Sequence, residues 1–570
     1  MKEILEQVIR EVIVDLGLPE VSFVVERPAD MAHGDYATNV AMALSKAAKQ
    51  NPRALAEKIT EALGAKNVEF VSAISMAGPG FINFTLSPAY FEKEIAQALS
   101  CGDTYGHSTQ RQGEHVLIEY TDPNPFKPLH IGHLMSNAIG ESLSRLIEAQ
   151  GARVTRACYQ GDVGLHVAKA LWGMQKDRAA MPSEEAPLAE KTEWLGKVYV
   201  AGATAYDENE EAKKEIVVLN KKIFELADPD LIVLYDAGRR WSLEHFEEAY
   251  ATLGTKFDRY FFEREVASEG VAIVRAGQAR GIFEESEGAI VYRGEQDGLH
   301  TRVFINRDGL PTYEAKELGL TKKKFEVENP DVSVVVTASE QTDYFRVVLA
   351  AMARVLPDAA RKTKHVAHGM MRFSSGKMSS RKGNVITAHA LLQETQEAIY
   401  AKLVDREYPE AEKRLIACDV GVASLKYSIL RQAPGGDIIY DFEKSISLEG
   451  DSGPYLQYAL MRTRAIQEKA LGEGVEASAV RPAGENLSIV ERLISRFPEV
   501  LRRGSVDLAP HHVAGYLIEL AGAYNAYYAQ QKIVDPSDPA SAYRVALTQA
   551  VRIVLANGLF VLGVKIPTRM

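Results

Sequence analysis

The stretch Val116-Leu117-Ile118-Glu119-Tyr120 indicates a buried β-strand, because apolar residues follow one another over strand length. A proline-rich loop comes next, and Leu143, Leu146 and Ile147 then recur at helical spacing. A second strand is predicted over residues 154–159. Strand, helix and strand in this order form a βαβ unit, so the pattern predicts a parallel sheet with helices on its faces.

The rest of the chain extends this unit in both directions. Strands are predicted near residues 289–293, 303–307 and 332–337, beyond a mostly helical insertion near residues 167–253. After about residue 388 the apolar spacing is helical almost to the end.

The first hundred residues predict a small α+β domain. Asn51 before Pro52 is typical of a helix start, and residues 21–25 and 81–86 predict strands. The whole pattern predicts an N-terminal α+β domain, an α/β parallel-sheet domain and a C-terminal all-helical domain, over residues 1–105, 106–390 and 391–570.

Composition limits the kinds of partner. The formal net charge of −11 repels a polyanion, so nucleic acid must meet local basic patches. Lys322-Lys323-Lys324 is one candidate patch, with a solvated helix face as the alternative. The three cysteines are far apart, so no structural zinc site is expected. No signal-peptide core is recognisable, so we expect a cytoplasmic protein without membrane contact.

A histidine motif, His130-Ile131-Gly132-His133, follows the first strand at the predicted start of the next helix. Free backbone N–H groups and the helix dipole favour a phosphate there. Both imidazoles can donate hydrogen bonds to phosphate oxygens, and Gly132 lets a flat adenine approach the backbone. Metal ligation and ordinary surface histidines are the alternatives; no third ligand is near in sequence.

A basic motif, Lys377-Met378-Ser379-Ser380-Arg381-Lys382-Gly383, lies in a glycine-flanked loop. Such loops close over a triphosphate and neutralise charge in the transition state, so Lys377 would meet the phosphates. A solvated basic turn is the alternative for this run alone. Only its pairing with the histidine motif indicates catalysis.

In this order, the two motifs resemble the two signatures of class I aminoacyl-tRNA synthetases. The resemblance implies a Rossmann-like domain that activates an amino acid with ATP, releases pyrophosphate and transfers the acyl group to the terminal ribose of tRNA. It implies Mg²⁺ only as part of the ATP substrate complex, with no protein-bound metal. The implied ATP-binding residues are His130, Gly132, His133, Met378, Ser379, Ser380, Arg381 and Lys382, and the implied catalytic residues are His130, His133, Lys127 and Lys377.

Arginine is indicated by the segment before the histidines, where Pro123-Asn124 and Lys127-Pro128 resemble arginyl-tRNA synthetases. That resemblance implies that Glu119, Asn124 and His130 surround the polar end of the amino acid. Asn124 as a simple turn residue is the alternative.

Tyr313 and Glu317 are four residues apart, hence on one helix face. A guanidinium suits a carboxylate beside an aromatic wall, and Gln341 matches the glutamine of the family's arginine pocket. A surface pair and a loop amide are the alternatives.

Two features depart from the usual family pattern. Glu317 stands where the family usually has Asp, and Gly161-Asp162-Val163-Gly164-Leu165-His166 differs from Gly-Asp-Trp-Gly-x-Gln, which leaves the role of Asp162 open. Conversely, many arginyl enzymes lack the lysine that stands here as Lys377.

The flanking domains also resemble those of arginyl enzymes. The front domain is implied to touch the tRNA elbow, through Asn39 and Phe81, and the helical domain to bind the anticodon, through Tyr455, Tyr458 and Arg462. Packing roles are the alternative for these residues.

The sequence thus predicts a monomeric ligase that takes L-arginine, ATP and tRNA(Arg), with activation dependent on bound tRNA. A class I lysyl-tRNA synthetase and a catalytically inactive tRNA-binding paralogue are the other interpretations.

Overall fold

A computed structural model describes residues 1–28, 30–225, 228–374 and 387–570. The chain divides into two compact units. One comprises residues 1–105, 463–497 and 522–554, and the other residues 106–462, 498–521 and 555–570.

The N-terminal part of the first unit packs helices against an antiparallel sheet of order β1-β2-β4-β3. Its elements are α1 (Lys2–Asp15), β1 (Val25–Glu26), β2 (Tyr36–Thr38), α2 (Val40–Ala48), α3 (Pro52–Ala65), β3 (Val71–Ala77), β4 (Phe81–Leu86) and α4 (Pro88–Cys101). The predicted helix start is confirmed, since the Asn51 side chain accepts hydrogen bonds from the backbone N–H groups of Arg53 and Ala54.

The strand predicted over residues 21–25 is largely wrong. Only Val25–Glu26 pairs with a neighbour, and the backbone N–H of Val24 instead donates to Oδ1 of Asn39, 2.9 Å away. A side-chain acceptor has taken the place of a strand partner.

The second unit is built on the predicted parallel sheet. Its elements up to the last sheet strand are β5 (His115–Glu119), α5 (Ile131–Glu148), β6 (Arg153–Gln160), α6 (Leu165–Lys176), α7 (Leu188–Glu208), α8 (Glu210–Glu225), α9 (Pro229–Leu253), β7 (Arg259–Phe262), α10 (Glu263–Ala279), β8 (Glu284–Ser286), β9 (Ala289–Tyr292), β10 (Arg302–Ile305), α11 (Tyr313–Val327), β11 (Val332–Ala338), α12 (Thr342–Val355), α13 (Pro357–Lys362) and β12 (Thr363–His368).

The sheet has the order β12-β11-β5-β6-β7, and every neighbouring pair is parallel. The first βαβ unit is confirmed. The chain leaves β5 towards β6 on one side, whereas β11 lies on the other, so a crevice opens at the carboxyl ends of β5 and β11.

Two predicted strands do not belong to this sheet. β9 and β10 pair antiparallel with each other, and β8 adds to β9, in a separate three-stranded sheet. The connection from Tyr292 to Arg302 is too short for a parallel crossover, which takes about a dozen residues or more. β7, which is only four residues long, was not predicted.

The remaining elements are mainly helical, as predicted. They are β13 (Met371–Phe373), α14 (Ala388–Leu403), α15 (Glu410–Leu430), β14 (Ile438–Tyr440), α16 (Phe442–Ser445), α17 (Gly453–Gly472), α18 (Ile489–Val506), α19 (His511–Gln530) and α20 (Ser541–Val561). α20 is long and apolar enough to cross a membrane, but 72% of its most apolar window is buried inside the protein, as in a core helix.

Candidate active site

A cavity of about 530 Å³ occupies the crevice at the ends of β5 and β11. It brings together most of the predicted arginine and ATP residues: Glu119, Asn124, His130, Gly132, His133, Tyr313, Glu317 and Gln341. Among the described residues, its lining carries six carboxyl side chains and one arginine: Glu119, Asp122, Glu263, Glu314, Glu317, Glu340 and Arg302. This charge pattern favours a cationic ligand.

The loop after β5 holds an unusual backbone. Thr121, Asp122 and Phe126 have φ of 78°, 48° and 68°, a region that non-glycine residues rarely adopt. Two hydrogen bonds hold the loop: the Tyr159 N–H donates to Asp122 Oδ1 at 2.7 Å, and the Phe126 N–H donates to Ser242 Oγ at 2.9 Å. The strained loop therefore has a fixed course.

That loop presents Asn124 to the cavity. The Asn124 side chain packs so closely on Gly161 that a Cβ at position 161 would lie 2.2 Å from Asn124 Oδ1. Gly161 is thus required for the position of Asn124, which explains the first glycine of the Gly161–His166 element.

The two histidines share one hydrogen-bonding pattern at the start of α5. Nδ1 of His130 accepts from the Gly132 N–H at 3.1 Å, and Nδ1 of His133 accepts from the His130 N–H at 3.2 Å. A neutral ring whose Nδ1 accepts must carry its proton on Nε2. Both Nε2–H groups are then donors, as phosphate binding requires.

The environment keeps both rings neutral. Burial lowers the pKa of His133 well below its usual range, with a further contribution from His130, whose ring stacks 3.6 Å away. The pKa of His130 is lowered by burial and then by Lys127. The fixed tautomer therefore persists across physiological pH.

Tyr313 and Glu317 lie in the first two turns of α11, as their spacing predicted. Glu317 is 5% exposed, and burial raises its pKa to about 7, against the opposing effect of Lys324. Tyr313 is 59% exposed and stands at the cavity lining. Gln341 ends a short 3₁₀ turn after β11 and faces the same cavity.

The lysine run was misinterpreted. Lys324 is neither a surface patch nor a solvated residue: it is 1% exposed, and its Nζ lies 2.6 Å from Glu119 Oε2 and 3.9 Å from Glu317 Oε1. Its spacing of seven from Glu317, which puts both on one face of α11, was the available signal. Lys323 is exposed and Lys322, paired with Glu269, is partly exposed, so these two lysines of the run are the surface residues.

A second buried ion pair was also missed. Lys316 Nζ lies 2.8 Å from Glu263 Oε2, and its ammonium is 4.7 Å from the centre of the Tyr313 ring. Glu263 begins α10 and lines the cavity. No motif of the sequence indicated it, because β7, which places it there, was not recognised.

Asp162 holds neighbouring helices through hydrogen bonds. Its buried carboxylate accepts hydrogen bonds from the Tyr235 hydroxyl at 3.0 Å, Arg239 Nε at 3.1 Å and the Arg264 N–H at 3.1 Å. These partners belong to α9 and α10, so Asp162 ties both helices to the end of β6.

One predicted catalytic residue, Lys127, does not line this cavity. Lys127 lines a neighbouring cavity, with its ammonium 5.5 Å from the centre of the Tyr199 ring. Lys377, Met378, Ser379, Ser380, Arg381 and Lys382 fall outside the described residues. Within the described ranges, no group of three or more His, Cys, Asp or Glu side chains has a metal-binding arrangement.

The predicted tRNA contacts lie outside the cavity lining. Phe81 and Tyr458 are each 37% exposed, and Arg462 stacks on Tyr458 with its guanidinium 5.1 Å from the ring centre. Tyr455 is half-buried in the same helix. Asn39 already uses Oδ1 to hold Val24.

Removing one partner of the buried Lys324–Glu119 pair should destabilise the fold. We expect Lys324→Met to lower the free energy of unfolding by about 3–5 kcal/mol, because it leaves an uncompensated buried carboxylate. Urea unfolding of the variant measures this. The double variant Lys324→Met/Glu119→Gln should recover much of the loss, and a single variant as stable as the parent protein would contradict the expectation.

The family comparisons cover nearly the whole chain. The model for tRNA synthetases class I (R), catalytic domain, matches residues 94–442. The arginyl tRNA synthetase N terminal domain matches residues 1–86, and the DALR anticodon binding domain matches residues 456–570.

Individual relatives agree with these matches. An arginine–tRNA ligase of Clostridium perfringens is 28% identical over 98% of each chain, and one of Flavobacterium psychrophilum is 28% identical over 92% of this chain and 90% of its own. The fold is similar to that of Thermus thermophilus arginyl-tRNA synthetase, with a TM-score of 0.79 and 21% identity over 100% of both chains. The chain belongs to the class I arginyl-tRNA synthetases.

Proposed function

We propose that the cavity at the ends of β5 and β11 activates L-arginine with ATP and passes the arginyl group to the terminal ribose of tRNA(Arg). The observation that carries this proposal is the excess of carboxyl groups around the cavity. Six line it, against Arg302 in the lining and the two buried lysines, Lys316 and Lys324, that pair with Glu263 and Glu119. A guanidinium that enters meets compensating negative charge and the ring of Tyr313.

In this proposal the guanidinium is bound by Glu317, Tyr313 and Gln341, because all three line the cavity together with buried Glu263. Asn124, Glu119 and His130 surround the polar end, with Glu119 acting beside its Lys324 partner. The arginine carboxylate then attacks the α-phosphorus of ATP, and pyrophosphate leaves. A hydroxyl of the terminal ribose next attacks the arginyl carbonyl carbon, and AMP leaves.

His130 and His133 act on the ATP phosphates. Their Nε2–H groups donate to phosphate oxygens that gain charge as the bond to pyrophosphate breaks, and Gly132 admits the adenine. Mg²⁺ enters with ATP as substrate. The triphosphate is contacted by the basic motif, whose residues are Lys377, Met378, Ser379, Ser380, Arg381 and Lys382. Lys127 assists from the neighbouring cavity. The role of the basic motif rests on the sequence.

The flanking parts recruit tRNA. We assign elbow contact to residues 1–105 through Asn39 and Phe81, catalysis to residues 106–390, and anticodon contact to residues 391–570. Tyr455 and Tyr458 stack bases, and Arg462 contacts phosphate. The protein acts as a monomer in the cytoplasm.

Charging and exchange assays test the proposal. Purified protein with total tRNA should esterify arginine and no other amino acid. Exchange of labelled pyrophosphate into ATP should require arginine together with tRNA(Arg). Charging of lysine would instead support the class I lysyl alternative, and tRNA binding without ATP turnover would support an inactive paralogue.

The pKa of Glu317 predicts a pH dependence. Because that pKa is raised to about 7, Glu317 is neutral below about pH 7 and loses its attraction for the guanidinium. We expect kcat/KM for arginine to fall by up to about tenfold per pH unit below 7. The Glu317→Gln variant should have lower activity that no longer changes with this titration. A flat profile of kcat/KM for the parent protein between pH 6 and 8 would refute the role of Glu317.

A further inference from the structure

A buried lysine outside the cavity lining joins two helix ends. Lys426, in α15, is 0% exposed, and its Nζ donates to the carbonyl oxygens of Leu253 at 2.6 Å and Gly563 at 2.8 Å. Leu253 is the last residue of α9, and Gly563 lies two residues beyond α20. A buried ammonium is costly unless bonded, so these contacts are specific.

Arg145, in α5, repeats the same arrangement. Its Nη1 donates to the carbonyl of Phe560 at 2.8 Å and its Nη2 to the carbonyl of Gly254 at 3.0 Å. Each of the two side chains therefore donates to one carbonyl at the end of α9 and one at the end of α20. Carbonyls at helix C-termini have no partner within their helix and carry the negative end of the dipole, which suits a cation. We call Lys426 and Arg145 the carbonyl brace.

The brace continues into the helix that carries the histidines. Arg145 Nε donates to buried Glu141 at 2.7 Å, and Glu141 accepts from the Tyr120 hydroxyl at 2.6 Å. Tyr120 follows Glu119 directly, and it packs on α5 so closely that a Cβ at Gly140 would lie 2.2 Å from its ring. α5 and the end of β5 are thus fixed together.

On its other side, the brace meets the helix with the proposed tRNA contacts. Buried Gln457, in α17 between Tyr455 and Tyr458, donates to the carbonyl of Lys565 at 2.7 Å. The segment 560–565 is therefore held by α17, α15 and α5 together. α17 and α5 are therefore connected through hydrogen bonds to the same backbone segment.

We propose that Lys426 and Arg145 are positioning residues that couple tRNA binding at α17 to the placement of His130 and His133. The proposal rests on the proposed function, and neither residue touches substrate. With tRNA bound, α17 fixes the segment 560–565, and the brace fixes α5 relative to the ATP phosphates. Without the brace, tRNA binds but no longer stimulates activation.

The test compares Lys426→Met with Lys413→Met. Lys413 is a matched control, because it also lies in α15 and donates to a helix-end carbonyl, that of Val404 at 2.6 Å, yet is only partly buried. We expect Lys426→Met to lower kcat for tRNA-dependent pyrophosphate exchange at least tenfold per titrated active site. The KM for arginine and the Kd for tRNA should stay within twofold, and Lys413→Met should match the parent protein.

A second variant keeps the proposal testable if Lys426→Met does not fold. Gln457→Leu removes the bond to Lys565 without burying a charge, and we expect the same fall in kcat with unchanged tRNA affinity. If both variants turn over normally per active site, or if only thermal stability changes, the coupling role is refuted. Failure of the parent protein to charge arginine would instead refute the proposed function, which separates the two outcomes.

Discussion

Glu317→Gln should lower kcat/KM for arginine by about 10²- to 10³-fold, because it removes the buried carboxylate that we propose as the partner of the substrate guanidinium. Glu317 lines the cavity and is nearly fully buried, and its Oε1 lies 3.9 Å from the Nζ of Lys324. Steady-state exchange kinetics at pH 8, above the raised pKa of Glu317, measure the effect in its charged form. The KM for ATP should stay nearly unchanged.

Glu340→Gln is the matched control for this prediction. Glu340 also lines the cavity but is exposed, so water screens its charge and the loss should be under about fivefold. Equal effects of the two substitutions would mean that total charge, and not the position of Glu317, attracts the substrate.

Two substitutions of His133 should distinguish the roles of its two ring nitrogen atoms. Nδ1 holds the His130 N–H, whereas Nε2 is the phosphate donor in the proposal. His133→Asn keeps an acceptor near Nδ1 and removes the Nε2 donor, so kcat for activation should fall by about 10²- to 10³-fold with little change in stability.

His133→Gln places an amide N–H near the position of Nε2 and should retain more activity than His133→Asn. Rapid-quench measurement of adenylate formation gives the rate of the chemical step for both. If His133→Asn were the more active variant, the cap and not the phosphate contact would be the function of His133.

Features that depend on residues close together in the sequence were predicted well. Asn51, Tyr313 and the histidine motif each sit at a helix start that capping or spacing predicted, because these features depend on neighbours within a few residues. The first βαβ unit followed from the apolar pattern alone.

Features that depend on contacts between distant residues were not predicted, for a physical reason. Whether β9 and β10 extend the parallel sheet or pair with each other depends on the connection, not on their apolar pattern. The charge of Lys324 indicated the surface, yet its pairing with Glu119, 205 positions earlier in the chain, made burial possible.

The sequence by itself determined the first βαβ unit of the parallel sheet, the order of the two motifs and the resemblance to arginyl-tRNA synthetases, since each depends on adjacent or regularly spaced residues. Only the tertiary structure decided that Lys324 and Lys316 are buried beside Glu119 and Glu263, and that Lys426 and Arg145 join the ends of α9 and α20. The physical reason is that a buried charge is stable only where folding brings a distant partner within hydrogen-bond distance.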